Sequence, residues 1–150
     1  MIESVKLAHA SNHKENDKRN GTNEEFLTVW KETAMKKYKV LFHLDEAAKT
    51  RAELVLNNID NLIADLGQEN VDVELVANSE GVTALLRVPS RLASRVEKLA
   101  LDGVRITACA NSLRQLGLTK DSLLERVEIV PAGVAELVRK QADGWVYIRP

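Results

Sequence analysis

The chain has 150 residues, of which 45% are hydrophobic and 29% charged, and its formal net charge is -1. These values are typical of a globular domain with a sizeable core, and they give no electrostatic basis for binding nucleic acid or an anionic membrane. The single cysteine excludes an internal disulfide, and the sequence shows no signal peptide and no apolar run of membrane-spanning length, so a cytoplasmic protein without a membrane partner is expected.

The amino-terminal part of the chain differs in composition from the rest. Residues 11–25 read SNHKENDKRNGTNEE and contain no side chain able to fill a core. Such a segment cannot offset the entropy that it would lose on ordering, which favours a mobile chain. The run Met35-Lys36-Lys37 then leads into strongly apolar residues. Residues 1–34 are therefore predicted to be a polar, mobile extension, and residues 35–150 are predicted to be the folded domain.

From residue 39 onward, strand patterns alternate with helix patterns. Short apolar or alternating runs predict five strands, at residues 40–44, 71–76, 104–108, 127–130 and 145–148. Helical spacing of apolar residues predicts a long helix capped by Asp45 and stopped by Gly67, and further helices over 81–88, 90–100, 111–116 and from 133 onward. Strands joined through helices favour right-handed crossovers and a flavodoxin-like three-layer α/β/α sandwich with a mostly parallel five-stranded sheet.

The only cysteine, Cys109, lies at the predicted carboxyl end of the third strand and just before a helix. Ligands of parallel α/β sheets bind at the carboxyl ends of the strands. The backbone N–H groups at a helix N-terminus also stabilise a thiolate, so Cys109 is a candidate nucleophile. Free cysteines are, however, among the most buried side chains, and packing at the edge of the core accounts for this residue equally well.

Each of the other polar residues singled out has two interpretations. His43 lies inside the first apolar strand, where it is either a hydrogen-bonded core residue or an acid–base partner. Asn111 and Ser112 follow the cysteine and either cap the helix or bind a ligand. Asn61 belongs to an asparagine-rich helix and either faces solvent or reaches the site or a neighbouring subunit.

The sequence contains no pattern that predicts a cofactor or a metal. Residues 45–50, which follow the first strand, include no glycine, so the usual phosphate-binding loop of nucleotide and flavin sites is missing. His9 and His13 lie in the polar extension without partners at ligand spacing. Neither a cofactor nor a metal is therefore expected.

The chain resembles the DsrE/DsrF-like family, in its small single-domain branch. The resemblance covers nearly all of the predicted domain in the right order, and it lies in residues 40–43, 57–61, 103–113, 130–137 and 144–150. It implies a homotrimer, or a homohexamer of two stacked rings.

Better-known relatives act in sulfur relay and carry a persulfide on a cysteine at the end of the third strand, which is the position of Cys109. The resemblance thus implies protein sulfur donors and acceptors, with Cys109 and His43 as the catalytic residues. Many relatives have a His-Gly pair after the second strand, where this chain has Asn78-Ser79. The residues expected to bind substrate are Asn78, Ser79, Asn111, Ser112 and Asn61.

Two functions of different classes follow from these observations. The protein is either a sulfur-relay protein that carries a persulfide on Cys109, or a non-catalytic oligomeric binding or scaffold protein in which Cys109 is structural. The solvent accessibility of the cysteine sulfur distinguishes them. Whether the chain is an enzyme is left open by the sequence.

Overall fold

The computed structural model describes residues 24–25, 27–28 and 37–150. The first four of these are helical. The chain divides into two units between Lys36 and Lys37. Because most of residues 1–34 lie outside the described part, the predicted mobility of this extension stays a prediction.

Residues 37–150 form a five-stranded sheet with helices on both faces. The strands, which are parallel wherever they pair, are β1 (Tyr38–Leu44), β2 (Val71–Ala77), β3 (Arg105–Cys109), β4 (Glu128–Val130) and β5 (Val146–Ile148). The helices are α1 (Lys49–Leu66), α2 (Arg91–Leu101), α3 (Ala110–Gln115) and α4 (Gly133–Ala142), with 3₁₀ turns at Gln68–Asn70, Ser79–Leu85 and Lys120–Ser122. The predicted flavodoxin-like α/β sandwich is confirmed.

Successive side chains of a strand point to opposite faces, and the two faces of this sheet differ in character. On one face, Phe42, Leu75 and Ile106 pack with buried residues of α1, α2 and α3 in a large apolar cluster. We call this the apolar face. On the other face, Leu41 and Val76 pack against Leu137 of α4 in a much smaller cluster. The same face carries buried polar and charged side chains, and we call it the charged face.

The order of the strands creates a crevice at one edge of the sheet. The order is β4-β3-β2-β1-β5, so the chain advances in one direction from β1 to β4 and then returns across the sheet to β5. A right-handed crossover that runs the opposite way must place its helix on the opposite face. Accordingly α3, which follows β3, packs on the apolar face, and α4, which follows β4, packs on the charged face. Ligands of open parallel sheets bind where the helices that follow two neighbouring strands leave on opposite faces.

Two local predictions differ from the structure. Asp45 does not cap α1, whose N-cap is Ala48 without a side-chain bond. A carboxylate oxygen of Asp45 lies 2.9 Å from the Arg149 guanidinium, because β5 pairs beside β1 and brings this cation to the end of β1. The helix expected at 81–88 is instead a 3₁₀ helix over Ser79–Leu85 that ends before Val88, since a residue preceding proline disfavours helical backbone.

Candidate functional site

Cys109 occupies the crevice between the diverging helices. It is the last residue of β3 and the N-cap of α3, and the residue is 5% exposed. Its side chain lies on the charged face, where α4 begins. The six-residue α3 and the ten-residue α4 therefore both start beside this sulfur.

The hydrogen bonds around the sulfur favour the thiolate. Burial raises the pKa of the Cys109 thiol, because a charged sulfur loses hydration. The Ser112 hydroxyl and the backbone N–H groups of Gly133, Ser112 and Asn111 act in the opposite direction and outweigh burial. The pKa of Cys109 is consequently lowered from its ordinary value of 9.0. A lowered pKa increases the thiolate fraction at neutral pH, and the thiolate is the nucleophile.

The Ser112 hydroxyl is oriented by the loop that follows β2. The backbone N–H of Ser79 donates to the Ser112 oxygen over 2.7 Å, so the hydroxyl proton is left to donate to the cysteine sulfur. Ser79 has a φ of +49°, which a residue other than glycine adopts at a cost of about 1–3 kcal/mol and which persists when surrounding contacts hold it. The strained residue Ser79 thus helps to orient the hydroxyl that faces the Cys109 sulfur.

Gly133 allows the start of α4 to approach the cysteine closely. A Cβ atom on Gly133 would lie 3.0 Å from the Cβ of Asn78, 3.2 Å from the Cβ of Cys109 and 3.6 Å from a methyl group of Val76. The first two of these distances are shorter than an ordinary van der Waals contact. Glycine is therefore the residue that lets this backbone N–H reach the sulfur.

His43 belongs to the same edge of the sheet but does not bond to the cysteine directly. Its Nδ1 lies 2.7 Å from the Tyr147 hydroxyl, and its Nε2 lies 2.8 Å from the amide oxygen of Asn78. Since that oxygen can only accept, Nε2 carries a proton, and in the neutral ring Nδ1 accepts from Tyr147. Asn78 and Cys109 both lie beside Gly133, so the hydrogen-bonded pair of Asn78 and His43 adjoins the cysteine.

A group of ion pairs lies on the charged face beneath α4. Glu74 is fully buried, and its carboxylate oxygens lie 3.0 Å from the Arg105 guanidinium and 3.0 Å from the Lys140 ammonium. The hydroxyl of Thr107 donates to the same carboxylate over 3.2 Å. Arg105 also contacts Glu136 of α4 over 2.8 Å. We call Glu74, Arg105, Glu136 and Lys140 the charge network.

The pKa values of this network reflect its pairing. Burial by itself lowers the pKa of Arg105, but the hydrogen bond to Glu136 and the nearby charges of Glu74 and Glu128 raise it overall. Burial raises the pKa of Glu136, but hydrogen bonds from Arg105 and Arg139 lower it below its ordinary value of 4.5. The paired charged forms are therefore the favoured ones.

The structure brings most of the predicted site residues to one edge of the sheet. Cys109, Ser112 and Ser79 form one hydrogen-bonded chain, and Asn78 with His43 forms another beside it. The backbone N–H of Asn111 faces the sulfur, whereas its exposed side chain pairs with Arg114. Asn61 is exposed in the second half of α1, which runs back toward the start of β2, and it is not part of this cluster.

The sequence reasoning missed Gly133, Tyr147 and the charge network. Gly133 opens a predicted helix after the fourth strand, and that position was the available signal for a helix start beside the cysteine. Glu74 and Arg105 fall in predicted strands at alternating positions, where a charged residue among apolar ones suggests a buried pair. Only the strand order and register bring them opposite each other.

A spacious groove lies away from the cysteine. It has a volume of about 880 Å³ and is lined by residues at the amino ends of β3 and β4, among them Gly103, Arg105 and Glu128. Parallel sheets bind ligands at the opposite, carboxyl edge, so we assign the candidate site to Cys109 on its chemistry and topology.

Two features are absent from the residues that the structure describes. Within residues 37–150 and the four positions described before them, no helix has the length and apolar character to cross a membrane. The same part of the chain contains no group of three or more His, Cys, Asp or Glu side chains arranged to hold a metal ion. The expected absence of metal and cofactor stays a prediction for elemental analysis and absorbance spectra of the purified protein.

The fold and the site define a parallel α/β protein with a hydrogen-bonded thiol where two helices diverge. The chain belongs to the DsrE/DsrF-like family, whose model matches residues 33–150. A solved structure of a protein of unknown function from Methanobacterium thermoautotrophicum is 46% identical, with a TM-score of 0.72 over 76% of this chain and 100% of that one.

The ychN protein from E. coli is similar in fold. It is 20% identical, with a TM-score of 0.63 over 77% of this chain and 100% of its own. No match was found among curated proteins. The resemblance inferred from the sequence is therefore confirmed at the level of the family and the fold.

Proposed function

We propose that this protein is a sulfur-relay protein that carries a persulfide on Cys109. The observation that supports this most is the set of donors around the sulfur: the Ser112 hydroxyl and the N–H groups of Gly133, Ser112 and Asn111. Donors that converge on the thiolate also lie close to the outer sulfur of a persulfide, which carries the negative charge one S–S bond, about 2 Å, beyond Sγ. Membership of the DsrE/DsrF-like family agrees with this chemistry.

The transfer takes place in two balanced displacements. In the first, the Cys109 thiolate attacks the sulfane sulfur of a donor persulfide, a new S–S bond forms, and the donor leaves as a thiolate. In the second, an acceptor thiolate attacks the outer sulfur, and Cys109 is released as a thiolate. Neither step needs an external oxidant or reductant. The donor is a protein persulfide and the acceptor is a protein thiol, and a reducing cytoplasm keeps the acceptor thiol free.

His43 is proposed to assist proton movement at the site. Its ring is fixed by two hydrogen bonds, of 2.7 Å to Tyr147 and 2.8 Å to Asn78. Asn78 and Ser79, Ser112 and the Asn111 backbone are the proposed sulfur-binding residues, and Asn61 is not included.

Mass spectrometry after exposure to a sulfane-sulfur donor tests the proposal. The native protein is expected to gain the mass of one sulfur atom, and dithiothreitol should remove it. Cys109→Ser should gain nothing while keeping the native circular dichroism spectrum. Ser94→Ala, which changes an exposed serine of α2, should behave as the native protein. A native protein that gains no sulfur contradicts the proposal.

One observation favours the second function, a non-catalytic oligomeric protein with a structural cysteine. The Cys109 residue is only 5% exposed, as expected of a packed thiol. In that case iodoacetamide should modify the protein only after denaturation. Modification of the native protein at neutral pH would instead favour the sulfur carrier.

Assembly into a homotrimer or homohexamer is also proposed. Helix α4 exposes Val134 and Val138, 63% and 62% accessible and one turn apart, which form an apolar stripe suited to a subunit contact. Light scattering of the full chain at micromolar concentration should give three or six times the chain mass. A monomer would contradict the proposal.

Finally, we propose that residues 1–34 are an extension of an independently folded domain, residues 35–150. The family match begins at residue 33, and the division of the chain falls between Lys36 and Lys37. A protein starting at Met35 should unfold at nearly the same temperature as the full chain. A large loss of thermal stability would show that the extension contributes to the folded domain.

A further inference from the structure

We propose that Glu136 and Arg105 are positioning residues that hold the first turn of α4 against the sheet, so that the backbone of Gly133 stays against Cys109. This inference rests on Cys109 being the working thiol of the proposed function. It assigns a task to a buried carboxylate and a half-buried guanidinium that form no ion pair or hydrogen bond with the thiol.

The spacing of residues along two elements carries the argument. On β3, Arg105, Thr107 and Cys109 alternate onto the charged face. On α4, Gly133, Glu136, Leu137 and Lys140 follow the helical spacing of one face. Helix and strand run in opposite directions, because Gly133 lies beside the end of β3 while Glu136 and Lys140 contact charges nearer its beginning. The ion pairs therefore act one and two turns behind the N–H that approaches the sulfur.

The apolar contact of α4 with the sheet is small. Leu137 is the buried apolar residue of this helix that packs with Leu41 and Val76. Val134 and Val138, on the neighbouring side of the helix, are exposed. Apolar burial is also non-directional, so a few methyl groups allow the helix to slide or rotate. A fixed position needs directional contacts.

The charge network supplies those directional contacts. One guanidinium nitrogen of Arg105 lies 2.8 Å from Glu136 of α4 and 3.0 Å from Glu74 of β2, which links the helix to two strands. Lys140 makes a second link to Glu74 over 3.0 Å, and its ammonium lies 4.4 Å from the centre of the Trp145 ring. Charged hydrogen bonds of this kind are short and specific in direction.

The site tolerates little displacement of α4. The Cα of Gly133 is close enough to Asn78 and Cys109 that even a Cβ would crowd both. A shift of the helix of about 1 Å away from the sheet would lengthen the N–H to sulfur bond beyond useful strength, since hydrogen bonds weaken steeply with distance and angle. Positioning by Glu136 and Arg105 thus bears directly on the thiolate.

Glu136→Gln tests the inference because the two possible effects have opposite signs. Removing a negative charge near a thiolate lowers the pKa of the thiol through space. Displacement of Gly133, in contrast, raises it. We expect the pH profile of iodoacetamide alkylation to shift upward, with a rate at pH 7 reduced by about three- to tenfold, where one pKa unit corresponds to a tenfold change in thiolate fraction.

The matched control is Glu128→Gln. Glu128 of β4 contacts the same Arg105 guanidinium over 3.0 Å, but it is exposed, and within residues 37–150 no hydrogen bond or ion pair joins it to α4. This variant removes the same charge and an Arg105 partner without releasing the helix. Its alkylation profile should match that of the native protein within about twofold.

A second variant keeps the test decisive if Glu136→Gln folds poorly. Arg105→Lys retains the positive charge but cannot contact Glu74 and Glu136 with the fixed fork of a guanidinium. A raised alkylation pH profile in this variant, with a displaced amide NMR signal of Gly133, is expected. An unchanged or lowered profile in folded Glu136→Gln and folded Arg105→Lys would overturn the inference.

The outcomes separate this inference from the proposed function. Failure of the native protein to be alkylated or to take up sulfur overturns the proposed function. Normal sulfur uptake and a native alkylation profile in the folded variants overturn the positioning role alone, because the charge network would then be structural only.

Discussion

Glu74 and Leu75 are neighbours in β2, both are fully buried, and they point to opposite faces of the sheet. Leu75 joins a large apolar cluster shared with α1 and α2, whereas Glu74 pairs with Arg105 and Lys140 beneath α4. The apolar face gains its stability from burial of surface, which is additive and tolerant of small shifts. The charged face gains less net free energy, because desolvation of its ions offsets their attraction, but its contacts are specific in direction.

This contrast accounts for the position of the candidate site. Cys109 shares a face with the charge network, and its sulfur depends on the placement of a neighbouring helix. The apolar face thus supplies most of the stability, and the charged face orients the groups around the thiol. Substitutions on the two faces should therefore differ in whether they change stability alone or also the thiol.

The largest change in stability is expected from Leu75→Ala. Loss of a fully buried leucine side chain leaves a cavity and should lower the free energy of unfolding by about 2–5 kcal/mol. Urea denaturation measures this loss. The alkylation rate of folded protein should remain native. Leu101→Ala, at a residue 65% exposed, should change stability by less than about 0.5 kcal/mol. A lower alkylation rate in folded Leu75→Ala would contradict the distinction between the two faces.

Glu74→Gln should have a somewhat smaller effect on stability, but it should also change the alkylation rate of Cys109. Removing one partner of a buried ion pair typically costs about 3–5 kcal/mol; we expect about 2–3 kcal/mol here, since Arg105 keeps Glu136 and Glu128 as partners. Urea denaturation and alkylation should be measured on the same samples. A stability loss with unchanged alkylation would mean that this carboxylate supports the fold without supporting the site.

Ser112→Ala should change the reactivity of the Cys109 thiol much more than the stability of the fold. The variant removes the hydroxyl that donates to the Cys109 sulfur, so the pKa of the thiol should rise. A charge-assisted hydrogen bond of about 1.5 kcal/mol corresponds to an alkylation rate lower by about tenfold at neutral pH. Stopped-flow or mass-spectrometric alkylation across pH measures it, with Ser94→Ala as control. An equal rate in both variants would exclude the hydroxyl from thiolate stabilisation.

The smallest effect is expected from protonation of the charge network in acid. The pKa of Glu136 is below its ordinary value of 4.5 in the folded protein, so the unfolded chain binds the proton first as pH falls. Its contribution to stability is complete above pH 4.5 and is lost as pH falls through the folded pKa. Thermal unfolding from pH 7 to pH 3 should show this loss, and Glu136→Gln should show a smaller one. Parallel profiles would contradict the assigned pairing.

Much of this molecule was determined by the sequence alone. Period-two and helical patterns are local, so the five strands, most helices and the parallel α/β class could be read from them. Cys109 was predicted at a strand end because apolar residues alternate with Arg105 and Thr107 from Val104 up to it. Patterns failed where another segment decided the outcome. Asp45, a plausible cap by position, is drawn to Arg149, which is distant in sequence and adjacent in space.

The details of the candidate site were decided by tertiary structure. No local pattern states that β4 lies beside β3 or that α4 crosses to the other face, and those facts bring Gly133 against Cys109. Likewise Glu74 and Arg105 become partners only through strand register, and His43 meets Tyr147 only because β5 returns to pair with β1. The sequence supplied a thiol at the end of a strand; long-range strand order, set by burial of the whole chain, supplied the donors that lower the pKa of that thiol.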